Sequence, residues 1–288
     1  MTLDKSKKIL IVGLGLLGGS YAQSLTRQGY YVTAITRKQS TIDYAVEHGL
    51  ITKGSAFVDE ELIKEANIIV FALYPHVFVD WIRQHGHLIA PKTVITDVTG
   101  VKECIVYEIQ SLLPDGVEFI SAHPMAGKET AGVEYADESI FKNANYIVVP
   151  TEKNSLDTVE LCGDLGETLG FREISVLSPQ KHDQMIAFLS QLTHCIAVSL
   201  MCACEEPELE RYTGDSFRDL TRIANINDEM WSELFLANRE TLLTEMDNYR
   251  KSFDELYDTI KNGDREKMRE MMRLSTERRK KFDKKKKL

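Results

Sequence analysis

The chain has 288 residues, 43% hydrophobic and 27% charged, the profile of a globular protein with a real core, in one large domain or two ordinary ones. No uninterrupted run of 18 apolar residues occurs, so no membrane span is expected; glycines break the first apolar run at once, which argues against a secretory leader. The net charge of −9 is uneven: residues 261–288 hold 13 Lys/Arg against 5 Asp/Glu, about +8, leaving about −17 on the rest, and an acidic body repels nucleic acid.

In chain order, the apolar run "KILIVGL" (8–14) predicts a first strand that enters Gly13, Gly15 and Gly18. The helical stretch "LLGGSYAQSLTRQG" follows, and then a second strand, "YYVTAIT" (30–36). In that context the G-x-G-x-x-G spacing signals a bound dinucleotide. Gly13 permits a tight turn, Gly15 lets backbone approach a pyrophosphate, and Gly18 lets helix pack on strand. The N–H groups that open the helix, from Leu16 and Leu17, face the phosphates. The second strand ends in Thr36, Arg37 and Lys38, with no acid to hold ribose hydroxyls. A hydroxyl and two cations suit a 2′-phosphate, so NADP is expected over NAD; Arg37 stacked on adenine with NAD bound, or a plain surface cation, are the other readings.

Further strands are expected at "NIIVFAL", ending at Leu73 before Pro75, and at "TVITDV", whose end places Asp97, Thr99, Gly100 and Lys102 near the nicotinamide. The next, "VEFISAH", runs out at about Ser121 and leaves His123 at the mouth of the crevice, within "ISAHPMAGKETAG". Histidine there suits a proton acceptor near neutral pH; a structural histidine capped in a turn is the alternative. "NYIVVP" and "REISVLS" complete the strands. Short, near-continuous apolar runs alternating with helices predict a doubly wound α/β sheet, a Rossmann-type dinucleotide-binding domain over 1–177.

From 178 to 288 the pattern is all-helical. "HDQMIAFLSQLTHCIAVSLMCACE" is too apolar for a one-sided surface helix. "DEMWSELFLANRETLLTEMDNYRKSFDELYDTIKNG" keeps helical spacing until Gly263. Such a bundle often buries its apolar surface in a dimer. The basic end is expected to be a solvated helix terminus. Cys104, Cys162, Cys195, Cys202 and Cys204 form no CxxC pair, so free, buried, reduced thiols and a cytoplasmic location are expected, with no metal.

The motifs "GLGLLGGS", "DVTGVK", "SAHPMAGKETAG", "KHDQMIAFLSQLTH" and "SFRDLTRIANINDEMWSELFLANRE", in this order across nearly the whole chain, resemble the prephenate dehydrogenase family. The resemblance implies a Rossmann domain, a helical dimerisation domain, and oxidative decarboxylation of prephenate to 4-hydroxyphenylpyruvate with reduction of NAD(P)+. It makes His123 the catalytic base and Arg222 the clamp for a substrate carboxylate, a job that suits a guanidinium fork. From spacing alone, Arg222 is also placed to pair with Asp219, which then orients it. It puts His194 in the substrate pocket and gives Glu129 a gating or subunit-linking role. Trp231 either reaches the active site across the dimer or is a core tryptophan. His182 is expected to be structural or to support the site. Relatives often carry Ser where this chain has Gly100, so Thr99 is expected to take over that hydroxyl's role. No βαβ pattern follows the last helix, so tyrosine feedback through a C-terminal regulatory domain is not expected. The alternatives are an arogenate dehydrogenase, a hydroxyacid dehydrogenase using Lys181, and a dinucleotide-sensing regulator without turnover.

Overall fold

Six short strands lie parallel in one sheet in the computed structural model, which describes residues 3–128 and 130–282. They are β1 (Lys8–Val12), β2 (Tyr31–Ile35), β3 (Lys53–Ser55), β4 (Ile68–Phe71), β5 (Val94–Asp97) and β6 (Glu118–Phe119), in the order β3-β2-β1-β4-β5-β6. Helices α1 (Leu16–Arg27), α2 (Gln39–Glu47), α3 (Glu60–Glu65), α4 (Pro75–His85) and α5 (Glu103–Leu112) connect them. The alternation of side chains along a strand feeds two cores: Ile9 and Ile11 of β1 join one cluster, Leu10 and Val12 the other. Both faces are therefore covered, which is why these strands read as unbroken apolar runs. The order reverses between β1 and β4, the position where open α/β sheets take their ligands.

Three details depart from the expected elements. β3 has only three residues, "KGS", and no apolar pattern; its pairing with Thr33–Ile35 of β2 defines it. β4 ends at Phe71 instead of Leu73, and Pro75 opens α4. The run "VEFISAH" is two strands in two sheets. β6 stays in the parallel sheet, while β7 (Ser121–Pro124) pairs antiparallel with β8 (Asn145–Val149). After α6 (Leu156–Thr168), β9 (Glu173–Val176) adds parallel to β8. The cause of the split is at Asp97, whose carboxylate accepts the Ala122 N–H at 3.1 Å and the Ser121 hydroxyl at 2.6 Å. A side chain thus replaces the next rung of the ladder, and the strand peels away. His123 consequently lies within β7 rather than after a strand.

The next helix is continuous through α7 (Pro179–Ile186), one π turn (Ala187–Gln191) and α8 (Leu192–Cys202). By length and composition alone these 24 residues are long and apolar enough to cross a membrane, a test that an apolar core or interface helix also passes. Ser190, Gln191, Thr193 and His194 interrupt the apolar run without making it polar overall. Phe188, Leu189 and Met201 are exposed on it. Helix α9 (Asp215–Thr221), a tight turn at Arg222–Ala224 and α10 (Asp228–Ala237) follow.

The chain divides into two compact units, one up to Asn238 and one from Arg239. The second is a helical pair, α11 (Arg239–Lys261) and α12 (Arg265–Lys280), separated by Gly263 at φ +67° and tied by Lys267 to Glu255 at 2.9 Å. Arg278, Arg279 and Lys280 occupy the last turn of α12, where cations complement the helix dipole; residues 283–288, which include the last four lysines, lie outside the described residues. Of the five free cysteines only Cys162 is buried; Cys195 and Cys202, on α8, are half-buried and exposed respectively, and Cys104 on α5 and Cys204 beyond α8 are exposed, so the expectation of buried thiols holds for one of the five.

Candidate active site

The glycine loop is built for close approach. Gly13 has φ +98°, and a Cβ there would lie 2.4 Å from the Ala72 carbonyl oxygen. A Cβ on Gly18 would lie 1.9 Å from the Gly13 carbonyl oxygen. Both positions are closed to any side chain. Gly15 differs: a Cβ there meets nothing within 4 Å, so the loop presents an open face. Helix α1 begins there without a side-chain cap, which leaves the first N–H groups, at Leu16, Leu17 and Gly18, without intrahelical acceptors. Leu73 lies against the loop, with its Cδ2 2.9 Å from a Cβ built on Gly13. Thr36 N–H bonds the Ser55 carbonyl at 3.1 Å, and Arg37 and Lys38 are exposed just beyond β2, the neighbour of β1. An open face, free helix-N-terminal amides and cations one strand away fit a nicotinamide dinucleotide.

Below the crevice sits a saturated ion pair. Lys102 and Asp97 have 0% side-chain exposure and meet at 2.8 Å. The Lys102 ammonium also donates to the Ala122 carbonyl at 2.7 Å and to the Thr99 hydroxyl at 3.2 Å. Asp97 in addition accepts from Ser121, from the Ala122 and Thr99 backbone N–H groups and from the Thr99 hydroxyl. Burial alone would raise the Asp97 pKa; Lys102, Ser121 and Thr99 together hold it below the usual carboxylate value. Burial lowers that of Lys102 against the pull of Asp97. Two expectations are corrected here. Asp97 points its acceptors into protein and has none left for the cofactor. The Thr99 hydroxyl is likewise committed, to Asp97 and the Val101 carbonyl (3.0 Å), so it does not stand in for a serine at position 100.

His123 is half-buried, and its Nδ1 lies 2.8 Å from His182 Nε2. His182 Nδ1 lies 2.7 Å from Asp183 Oδ1, and both residues are buried. Asp183 in turn accepts the backbone N–H groups of Lys102 (2.9 and 3.2 Å) and Glu103 (2.8 Å) at the start of α5. Burial pushes the His123 pKa well below its ordinary value; His182 and Lys102 add to this, and Asp97 opposes it. Burial also lowers His182 to about 3 and raises Asp183 to about 6. At neutral pH both rings are neutral and Asp183 is ionised.

Helix α10 closes this side of the site. A Cβ on Gly100 would lie 3.5 Å from both methyls of Leu234 and 4.0 Å from His123 Cε1, so Gly100, Leu234 and His123 share one wall. Three residues earlier, Trp231 stacks on His194 of α8, ring centroids 3.7 Å apart. Glu233 accepts the His76 N–H at the start of α4 at 2.8 Å. Buried Asn238 donates to the Asp183 carbonyl (3.0 Å) and to Gln191 (2.8 Å), and Gln191 donates to the Leu234 carbonyl (2.8 Å). These amides fix α10 against the π turn that precedes His194. Arg222, itself exposed, begins the turn that packs on α8, and Asp219 is exposed on α9. Glu129 lies outside the described residues. Lys181 is exposed and bonds Gln184 at 2.9 Å, away from the role the hydroxyacid alternative needs.

Sequence reading missed Asp183, Gln191 and Asn238 as site-building residues. The signal was present as acid and amide side chains inside otherwise apolar helical stretches, where burial demands partners.

Residues 21–174 match the family model for the prephenate dehydrogenase nucleotide-binding domain, and residues 178–274 the model for its dimerization domain. The chain belongs to the prephenate dehydrogenase family. Prephenate dehydrogenase of Bacillus subtilis is 30% identical over 271 residues, covering 90% of this chain and 72% of the relative. Among solved structures, prephenate dehydrogenase from A. aeolicus in complex with hydroxyphenyl propionate and NAD+ superposes with a TM-score of 0.88 at 27% identity, covering 98% of this chain and 100% of the other. The Synechocystis arogenate dehydrogenase superposes with a TM-score of 0.83 at 29% identity, covering 96% and 99%.

Proposed function

We propose that the protein catalyses the oxidative decarboxylation of prephenate to 4-hydroxyphenylpyruvate, with His123 as general base. The observation that carries this is the His123 ring, held neutral by burial beside the loop after β5 and sharing a wall with Gly100 and Leu234. A neutral imidazole accepts the proton of the substrate's C4 hydroxyl as hydride leaves C4. When bound, the oxidised nicotinamide supplies the hydride acceptor. Loss of CO2 then returns the C1 bonding pair to the ring, and aromaticity supplies much of the driving force. Arg222 clamps a substrate carboxylate, with Asp219 orienting it. His194, with Trp231 stacked on its ring, lines the pocket.

The dinucleotide loop comprises Gly13, Gly15, Leu16, Leu17 and Gly18, with Leu73 beneath it. Thr36 and Arg37 at the end of β2 favour the 2′-phosphate of NADP+ over NAD+. The helical domain begins at 178, and the exposed apolar side chains of 188–201 form the interface of a homodimer. Free thiols fit a cytoplasmic setting.

The test is absorbance at 340 nm with prephenate and arogenate crossed against NADP+ and NAD+. NADPH formation with prephenate is the expected result. Faster turnover with NAD+ overturns the cofactor assignment alone, and activity with arogenate only moves the substrate to its amino analogue. No turnover in any combination, with the protein folded and binding dinucleotide, overturns the reading.

A further inference from the structure

His123 has two ring nitrogens, and the structure commits one of them. Proton positions follow in order along the three side chains. Asp183 receives backbone N–H groups from Lys102 and Glu103 at the start of α5, so it is a carboxylate and only accepts. His182 Nδ1, 2.7 Å from Asp183 Oδ1, therefore carries a hydrogen. A neutral imidazole carries one, so His182 Nε2 presents a lone pair. His123 Nδ1, 2.8 Å from that lone pair, must donate. A neutral His123 then keeps its own lone pair on Nε2, which has no protein partner among the described residues. The other tautomer would set two lone pairs against each other at 2.8 Å, away from water.

Building on the reading of His123 as the base, we propose that His182 and Asp183 are positioning residues of the reaction: they hold His123 in its Nδ1–H tautomer, direct the Nε2 lone pair to the substrate hydroxyl, and stabilise the imidazolium that forms. In that step the substrate O–H bond breaks and the N–H bond forms at His123 Nε2. The imidazolium keeps its Nδ1–H toward His182, whose Nδ1–H remains on the Asp183 carboxylate. The new positive charge is thereby joined by two hydrogen bonds to a buried negative charge. It needs that partner, because Lys102 on the neighbouring α5 side opposes an imidazolium; Asp97, behind Lys102, favours it. Cys104, the second residue of α5, also feels the Asp183 charge; desolvation of its sulfur, with that charge, pushes its thiol up to about 12, so it stays neutral. Asp183 also accepts the first N–H groups of α5, so one carboxylate sets both the ring tautomer and the start of the helix that follows the Gly100 loop.

The test uses the full chain. Imidazole 15N spectra of the wild type, with His123 assigned by its loss in His123→Asn, are expected to show Nδ1–H and an unprotonated Nε2 at neutral pH without substrate. His182→Leu is expected to lose that preference and to lower kcat on prephenate by ~10–10²-fold, a part of what a general base contributes, with KM and dinucleotide affinity unchanged. His182→Gln offers a carbonyl to His123 and an N–H to Asp183, and is expected to recover both the tautomer and most of kcat. An Nε2–H tautomer in the wild type overturns the proposal. So does an unchanged kcat in His182→Leu, or equal loss in the Gln and Leu variants. If the Leu variant does not fold, the wild-type tautomer and the Gln variant still decide. Failure of the wild type to turn over prephenate counts against the proposed function alone, since the tautomer is read without substrate.

Discussion

Replacing Lys102 with Met removes the cation from a carboxylate that has no access to water. Met keeps much of the aliphatic stem, so the loss is electrostatic rather than a cavity. The pair is 2.8 Å apart; at an effective dielectric of ~20 its gross attraction is ~6 kcal/mol. Breaking a buried pair on one side costs ~3–5 kcal/mol. The Ala122 carbonyl also loses its 2.7 Å ammonium donor, worth ~1–3 kcal/mol when stranded. Asp97 keeps its bonds from Ser121, Ala122 and Thr99 and can protonate, which offsets part of this, so a net loss of ~3–5 kcal/mol is expected. That is a large share of the ~5–15 kcal/mol that holds a protein folded. The assay is urea unfolding by circular dichroism at fixed protein concentration. Lys102→Met should lower the midpoint strongly, and Lys102→Met with Asp97→Asn should be more stable than the two single losses sum to, with a coupling above ~1 kcal/mol. A single variant within ~1 kcal/mol of wild type, against the ~3–5 expected, refutes the reasoning, as does simple additivity. Dinucleotide affinity of folded Asp97→Asn should be unchanged; a large loss would return Asp97 to the cofactor site.

His123→Asn should lower kcat by ~10²–10⁴-fold with dinucleotide binding intact; near-normal turnover removes it from the chemistry. Its pKa in the fold lies below 6.5, so the base stays neutral as pH falls to that value, and the acid limb of kcat/KM belongs below pH 6.5. The same shift gives stability that is full above pH 6.5 and lost as pH falls through the folded value. An acid limb that persists unchanged in His123→Asn comes from another group. Gly15→Val should fill the open face of the loop and abolish dinucleotide binding with little change in Tm, whereas Gly18→Ala, facing the Gly13 carbonyl oxygen at 1.9 Å, should destabilise the fold itself; equal effects on Tm contradict the distinction. Arg222→Gln should raise the KM for prephenate by ~10–10²-fold, the worth of a hydrogen-bonded charge, and leave that for dinucleotide alone. Sedimentation should give a dimer that Leu189→Glu weakens, and a compact, active monomer of the wild type would place the exposed residues of 188–201 outside any interface.

Local physics made much of this protein readable without coordinates. Strands covered on both faces must be apolar throughout, so β1, β2, β4 and β5 stand out as runs. A glycine loop between strand and helix has few uses, so a dinucleotide is the expectation that Gly13, Gly15 and Gly18 raise from sequence. Gly263 marked the break between α11 and α12 because only glycine takes φ +67° at no steric cost. What stayed hidden were relations between distant segments. Asp97 and Thr99 look like crevice residues from their place after β5; only the meeting of β5, Lys102 and Ser121–Ala122 turns them inward. "VEFISAH" is one strand by pattern and two by pairing, because hydrogen-bond partners are chosen in space and Asp97 intercepts the ladder. His182 and Asp183 precede the π turn in a helix 59 residues beyond His123, and no local pattern records which ring nitrogen faces which. Periodicity and turn chemistry are properties of neighbours in the chain and survive in the sequence; the saturation of a buried polar group depends on all the segments that surround it, and only the folded structure determines that.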